Sequence, residues 1–510
     1  MYTFFTPVFY HDIHLCLERH RVYNMKRPLL LFLTGCLLLS AGCVRPIDIP
    51  SEGSSSAPGT GYSATDAVST SSTFSLYTGS DATHSPLQTG SGTSGSISSN
   101  RGTTASRSDS TATSSTGTSA SPTTPPVETD QEMRAVWVSY IELNKLLSDS
   151  STPDKARAAL DTLMDNCVFY GMNAVIFHVR ANSDAYYKSS LFLPASSAQK
   201  LLEAGFDPLE YAVSAAHKRG LELHAWINPY RIGANKAYAI GSEIFTYNGR
   251  YYYIPTSLEA QKIILDGVKE VVNNYAIDGV QYDDYFYPTG CIGENEVADF
   301  EKAAYDAYKS EAGSRALSPG AWRRSHVDAL MAASYQAVHK RAGAVFGVSP
   351  SHDSEKTYSK MFADTKKWLA QRGYIDYLCP QVYFGFEHIS AAFDKVVNQW
   401  LAFPRDDSVK LYFGLAIYKT GLGPDRYAGS ASNPAGRYEW QEHDDIMKRS
   451  VQYLRTKSAV DGMMFFSYSF FDENTYRSCS TWEENGRQFT QTYKAEVAKR
   501  EAENLLPLLR

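Results

Sequence analysis

After Met133 the sequence becomes a series of eight apolar runs rich in β-branched and aromatic residues, separated by segments with helical spacing, and this alternation predicts the α/β class. The runs are near-continuously apolar, as parallel strands covered on both faces are. Eight such units over about 360 residues predict a closed (β/α)8 TIM barrel with loop insertions. An open doubly wound sheet would carry a Gly-rich phosphate loop after its first strand, and SYIELNKLL there contains no glycine.

The predicted strands, in order, are AVWVSYI (135–141), AVIFHVR (174–180), LELHAWINPY (221–230), DGVQYDDY (278–285), VFGVSP (345–350), DYLCPQVYF (376–384), KLYFGLAIY (410–418) and GMMFFSYSF (462–470). Helical patterns occupy 154–169, 207–219, 257–275, 297–310 with 322–341, 358–371, 389–400, 442–456 and a last stretch near 484–500. The second of these opens on Asp207-Pro208, an N-cap followed by a proline at the first helical position. IFTYNGRYYYI (244–254) carries Asn248-Gly249, a hairpin-turn signal, and the segment after the fourth strand is unusually long. Both are insertions on the barrel.

The preceding residues follow other rules. From Met25 the chain reads MKRPLLLFLTGCLLLSAGC: two basic residues, an apolar stretch, then Ala41 and Gly42 before Cys43. That is the order of a secretory signal ending in a lipoprotein-type cysteine, so 1–43 reads as a signal region, Met25 as its start and Cys43 as the lipidated residue. An uncleaved single-pass anchor is the alternative, since the stretch approaches membrane-spanning length. Residues 44–130 are a Ser/Thr/Gly-rich linker with too little apolar surface to offset the entropy of ordering, expected to be a disordered tether, and the barrel fills 131–500.

A net charge of −6 provides no basic footprint for a nucleic-acid backbone, which excludes that partner class. Beyond the signal region Cys167, Cys291, Cys379 and Cys479 are far apart, with no metal-binding spacing; one or two disulfides are open to them. No HxxxH or HExxH occurs, so no metal and no cofactor is expected, and His224 and His352 read as structural.

In such a barrel the chemistry sits at the C-terminal strand ends. Strand two brings His178, Arg180, Asn182 and Asp184; strand three brings Trp226, Asn228, Tyr230 and Arg231. Strand four brings Tyr282, Asp283, Asp284 and Tyr285, strand six Gln381, Tyr383 and Glu387, and strand eight Tyr468. Aromatics stack on the apolar faces of sugar rings while amides and acids bond hydroxyls, so a glycan is the expected partner. Paired carboxylates are what glycoside hydrolysis needs. On an extended strand Asp283 and Asp284 point to opposite sides: one toward the mouth, the other toward the helix layer or a loop, neutralised by Arg180 or Arg231. A second catalytic carboxylate is then sought elsewhere, first at Glu387 as a general acid, then at Asp184. Each residue also has a bland reading: Arg180 orienting an acid, Trp226 as core, Gln381 satisfying loop backbone, Glu387 as a solvated surface acid.

The blocks MRAVWVSYIEL (133–143), VRANSDAYY (179–187), HAWINPYR (224–231), DGVQYDDYFYP (278–288), AWRRSHV (321–327), FGVSP (346–350), CPQVYFGFEH (379–388) and FFSYS (465–469) resemble, in this order, the bacterial glycosyl-hydrolase-like family called family 10 glycosylhydrolase. The resemblance implies a (β/α)8 barrel, often lipid-anchored, with members implicated in cleaving peptidoglycan glycan strands. It implies central strand-four aspartates, with Arg180, the run Asn228 to Arg231 and the run Pro380 to Tyr383 around the pocket. His326 stands where the family commonly has Asn, and SHDSEK follows FGVSP in place of a Gly-containing turn. The expected function is a lipid-anchored, extracytoplasmic glycoside hydrolase of the bacterial cell membrane acting on a cell-wall glycan (peptidoglycan) or another polysaccharide. A non-catalytic glycan-binding lipoprotein and a metal-dependent sugar deacetylase are the alternatives.

Overall fold

The computed structural model describes residues 132–510 apart from 285, 431, 435, 472–476 and 478. The signal region, Cys43 and the whole linker (44–130) lie outside the described residues. Eight parallel strands close a barrel: β1 (Met133–Val138), β2 (Ala174–Arg180), β3 (Glu222–Ile227), β4 (Gly279–Tyr282), β5 (Val345–Val348), β6 (Tyr377–Leu378, resuming at Gln381–Val382), β7 (Lys410–Leu415) and β8 (Gly462–Phe466). Each pairs with the next, and β1 pairs with β8, so no strand is left as an edge. The gap in β6 falls at Cys379-Pro380, where proline has no N–H to give the ladder.

Helices cover the outside: α1 (Tyr140–Asp149), α2 (Pro153–Phe169), α3 (Pro208–His217), α4 (Leu258–Asn274), α5 (Asp299–Ala312), α6 (Pro319–Val338), α7 (Ser354–Lys360), α8 (Thr365–Ala370), α9 (Phe393–Leu401), α10 (Ile446–Arg455) and α11 (Ala495–Leu509). Three of them begin alike. Thr152, Asp207 and Ser318 each accept a backbone N–H of the first turn, and each is followed by proline at the first helical position.

The barrel interior is a packed layer of Trp137, Ile176, Trp226, Tyr377, Tyr412 and Met464. Glycines opposite make room for the rings: a Cβ on Gly347 would lie 2.0 Å from the Tyr377 ring, and one on Gly279 would lie 2.7 Å from His224. Gln281 is the polar centre of this layer, accepting from Trp137 Nε1 at 2.6 Å and donating to the Tyr377 hydroxyl at 3.3 Å. His224 bonds the same hydroxyl at 3.0 Å and Glu222 at 3.1 Å, a structural histidine. A second, larger core lies between strands and helices.

Local details depart from the sequence reading. SYIELNKLL is helix α1, begun by a capping box in which Ser139 and Glu142 exchange bonds. The last helix is 495–509 and not 484–500, because Thr481–Glu484 and Arg487–Thr490 form a hairpin turned by Asn485-Gly486, both at positive φ. The Asn248-Gly249 hairpin is present, with φ of 48° and 70° at its turn. Cys167, Cys291 and Cys379 are unbridged thiols.

The last helix is locked by Glu501, whose carboxyl oxygens accept the N–H groups of Ile446 and Met447 at 2.7 and 3.0 Å. Burial pushes this acid from 4.5 to about 8 despite those bonds. Between these values the folded chain keeps a proton that the unfolded chain releases, so stability should fall as pH rises from about 4.5 to about 8. Glu501→Gln, uncharged at every pH, is expected to flatten the decline in a series of melting temperatures. An unchanged slope would show that Glu501 does not set it.

Candidate active site

Strand β4 ends at Tyr282, three residues earlier than the run 278–285 suggests, and this decides where its acids go. Gln281 points into the barrel and Tyr282 out, its hydroxyl 2.8 Å from Ser334 Oγ on α6. Asp283 then points in again. It is buried and its Oδ2 accepts from Trp226 Nε1 at 3.2 Å. Strand alternation would send Asp284 outward, but the strand has ended and the chain turns across the mouth. Asp284 there accepts a hydrogen bond from Gln381 and feels the charge of Lys356. Burial nevertheless raises it to about 6, outweighing both. The cation acting on Asp284 is thus Lys356, where the sequence suggested Arg180 or Arg231.

The floor beside Asp283 is a stack. The His178 and Trp226 rings lie 3.6 Å apart and 10° from parallel. His178 Nδ1 accepts the backbone N–H of Tyr140 at 3.2 Å, which leaves the proton of the neutral ring on Nε2, toward Asn228. Burial and the nearby Arg231 hold its pKa well below 6.5, so the ring stays neutral. Asn228 is itself fixed by donation to the Ala181 carbonyl at 3.0 Å.

The opposite wall comes from β6 and β8. Gln381 donates to the Ser349 carbonyl at 3.0 Å while reaching Asp284. Tyr383 stacks on Phe466 at 5.8 Å and meets Tyr418 edge-on at 5.8 Å. Burial, then Cys379, Tyr418 and the charges of Asp284 and Asp283 raise its pKa well above 10, so it remains an O–H donor within electrostatic reach of both acids. Glu142 closes the rim between the first and last strands, accepting from Ser467 Oγ and the Ser469 N–H, each at 2.6 Å.

Of the residues singled out in the sequence, Trp226, Asn228, Asp283, Asp284, Gln381 and Tyr383 come together here. Asp184 and Arg231 form a neighbouring group, in which burial raises Asp184 while the Asn182 N–H (3.1 Å) and Arg231 oppose it. The others lie elsewhere. Arg180 follows a register shift in β2 that turns it out of the barrel, over the Phe192 ring at 4.3 Å and against Gly267 of α4. Tyr230 is fully buried with Tyr282 in the helix-side core, and the Tyr468 hydroxyl accepts from Asn166 of α2 at 3.0 Å. Glu387 is 52% exposed and faces His443 at 3.7 Å, the exposure that its reading as a solvated surface acid expects. Tyr285 lies outside the described residues. Lys356, Phe466 and Tyr418 were missed. Lys356 stands in the SHDSEK segment that follows strand five, Tyr418 closes the apolar run of strand seven and Phe466 lies within that of strand eight, where nothing local sets them apart from core residues or surface charge.

A parallel (β/α)8 barrel whose mouth joins two carboxylates to an aromatic floor and wall defines a glycan-acting class of protein. The chain belongs to the glycosyl hydrolase-like 10 family, which it matches over residues 132–426. It is 30% identical over 380 residues to the glycosyl hydrolase YngK of Bacillus subtilis (strain 168), covering 68% of this chain and 70% of that one. It is 32% identical over 348 residues to the glycosyl hydrolase DigH of Escherichia coli (strain K12), covering 58% of this chain and 76% of that one. Among solved structures it is similar to the PgaB (BpsB) glycoside hydrolase domain from Bordetella bronchiseptica, with a TM-score of 0.43 and 12% identity over 66% of this chain and 94% of that chain.

Proposed function

We propose that this protein is a glycoside hydrolase acting on a cell-wall glycan, peptidoglycan first among them, from a lipid anchor at Cys43 on the outer side of the cytoplasmic membrane. One observation carries the catalytic part: Asp283 and Asp284 stand side by side at the mouth, with burial raising Asp284 to about 6. An acid of that strength keeps its proton up to about pH 6, far above an ordinary aspartic acid, and can deliver it to the departing glycosidic oxygen. Asp283, positioned by Trp226, faces the positive charge that develops at the anomeric carbon. Trp226 and Tyr383 supply the ring surfaces against which a sugar packs. Family membership supports the glycan; the order of residues from Met25 to Cys43 supports the anchor.

Incubation of the purified chain with isolated glycan strands should release new reducing ends, unaffected by chelator. Binding without product would favour the non-catalytic reading, and chelator-sensitive acetate release the deacetylase. For the anchor, Cys43→Ser is expected to shift the protein from the membrane to the soluble extracytoplasmic fraction and to abolish labelling by a fatty acid. Retention of both label and membrane association would sink the assignment of Cys43.

A further inference from the structure

We propose that the sugar in the cleavage subsite carries a 2-acetamido group, and that this group, and not a carboxylate of the chain, attacks the anomeric carbon. The inference rests on the hydrolase reading and adds the nucleophile and the substrate class.

The geometry of the acids points to it. Enzymes that use two carboxylates place them about 5 to 5.5 Å apart across the bond for retention, or about 6.5 to 9.5 Å apart on opposite faces of the ring for inversion. Asp283 and Asp284 are consecutive residues just past the end of one strand, bonded to Trp226 and Gln381 respectively, and the charges of both act on Tyr383. They approach a bound sugar from one side. A carboxylate for the other side would have to come from another loop; among the described residues the acids that begin those loops hold partners of their own, and Asp472 and Glu473, which follow the eighth strand, lie outside the described residues. Glu142 binds Ser139, Ser467 and Ser469; Asp184 holds the Asn182 N–H; Asp353 caps α7 through the Lys356 N–H. Glu387 faces His443 in solvent, and buried Asp425 is ion-paired with Lys419 at 2.7 Å.

Two acids on one side, with a tyrosine hydroxyl within reach of both, suit a different division of labour. Asp284 protonates the leaving oxygen as the C1–O bond breaks. The acetamido carbonyl oxygen bonds to C1, and its N–H proton passes to Asp283, giving a neutral oxazoline. Tyr383 donates its hydroxyl to the carbonyl oxygen and orients it. Water then adds to C1 on the vacated face, giving a proton to Asp284, while the C1–O bond of the oxazoline opens and its nitrogen recovers the proton from Asp283. Both acids end as they began, and the product keeps its anomeric configuration.

The full chain would be tested with β-linked N-acetylglucosamine oligosaccharides, the same chains de-N-acetylated, and their 2-hydroxy counterparts, together with the thiazoline analogue of N-acetylglucosamine as a probe of the oxazoline. We expect hydrolysis with retained configuration by NMR and a loss of at least roughly 10³-fold without the acetamido group, since an intramolecular nucleophile is removed. Thiazoline should bind wild type by calorimetry and lose that binding in Asp283→Asn, at an unchanged melting temperature. Inversion, comparable rates on the 2-hydroxy chains, or a glycosyl ester on a carboxylate seen by mass spectrometry would overturn the inference and leave the hydrolase reading intact. Absence of both hydrolysis and thiazoline binding would overturn the two together.

Discussion

Asp284→Asn is expected to reduce glycan hydrolysis by roughly 10²- to 10⁴-fold, the usual contribution of a positioned proton donor, with the fold preserved. The pH profile should identify the cause. As a donor Asp284 acts while protonated, so kcat/KM of the wild type should fall as pH rises through about 6, and the residual activity of the variant should lack that limb. The same shift has a stability counterpart. The folded chain keeps this proton between pH 3.8 and about 6 and the unfolded chain does not, so burial of Asp284 costs stability as pH rises through that window. Asn removes the cost, and the variant should melt no lower than wild type above pH 6. Full activity in Asp284→Asn would refute its role; a collapsed melting temperature would mean that the acid serves the fold.

Glu301→Ala is expected to cost about 3–5 kcal/mol in urea unfolding, because it leaves a buried guanidinium without its counter-ion. Glu301 and Arg323 have fully buried side chains and join α5 to α6. Arg323 also donates to the carbonyls of Gly293 and Glu296, while Tyr287 donates to the other Glu301 oxygen at 3.2 Å. The pair therefore ties down the segment that leaves the strand-four acids and crosses to the helices. Glu301→Ala with Arg323→Met should recover part of the loss, since removing both charges avoids the unpaired one. A single variant as stable as wild type would show that water reaches the guanidinium.

The barrel was legible because its strands carry a signal that each contributes alone: an apolar run of the right length, bounded by helix caps such as Asp207-Pro208. The hairpin at Asn248-Gly249 was legible for the same reason, and Asn485-Gly486 carries the same signal inside a stretch whose spacing also suits a helix. Strand alternation correctly separates Gln281 from Tyr282, and applied consistently it would have removed Tyr282 from the pocket. It does not extend to Asp284, since no local signal marks the end of pairing at Tyr282. Arg180 is displaced by a register shift against β3, a property of two strands that neither run reveals. Glu387 looked like a catalytic acid because it follows the sixth strand, but the buried Glu439 accepts the N–H groups of Phe386 and Glu387 and fixes that loop with the side chain in solvent.

Sequence by itself determined the fold class, the strand order, the family and the end of the barrel where polar and aromatic groups gather, because periodicity and ordered motifs are local and additive. Tertiary structure alone decided which of those groups meet. The stack of His178 on Trp226, the Trp226 bond to Asp283 and the convergence of Gln381 and Lys356 on Asp284 join four strands and helix α7, which local sequence does not relate. Distances of that kind, and the burial that raises an acid to about 6, exist only once the barrel has closed.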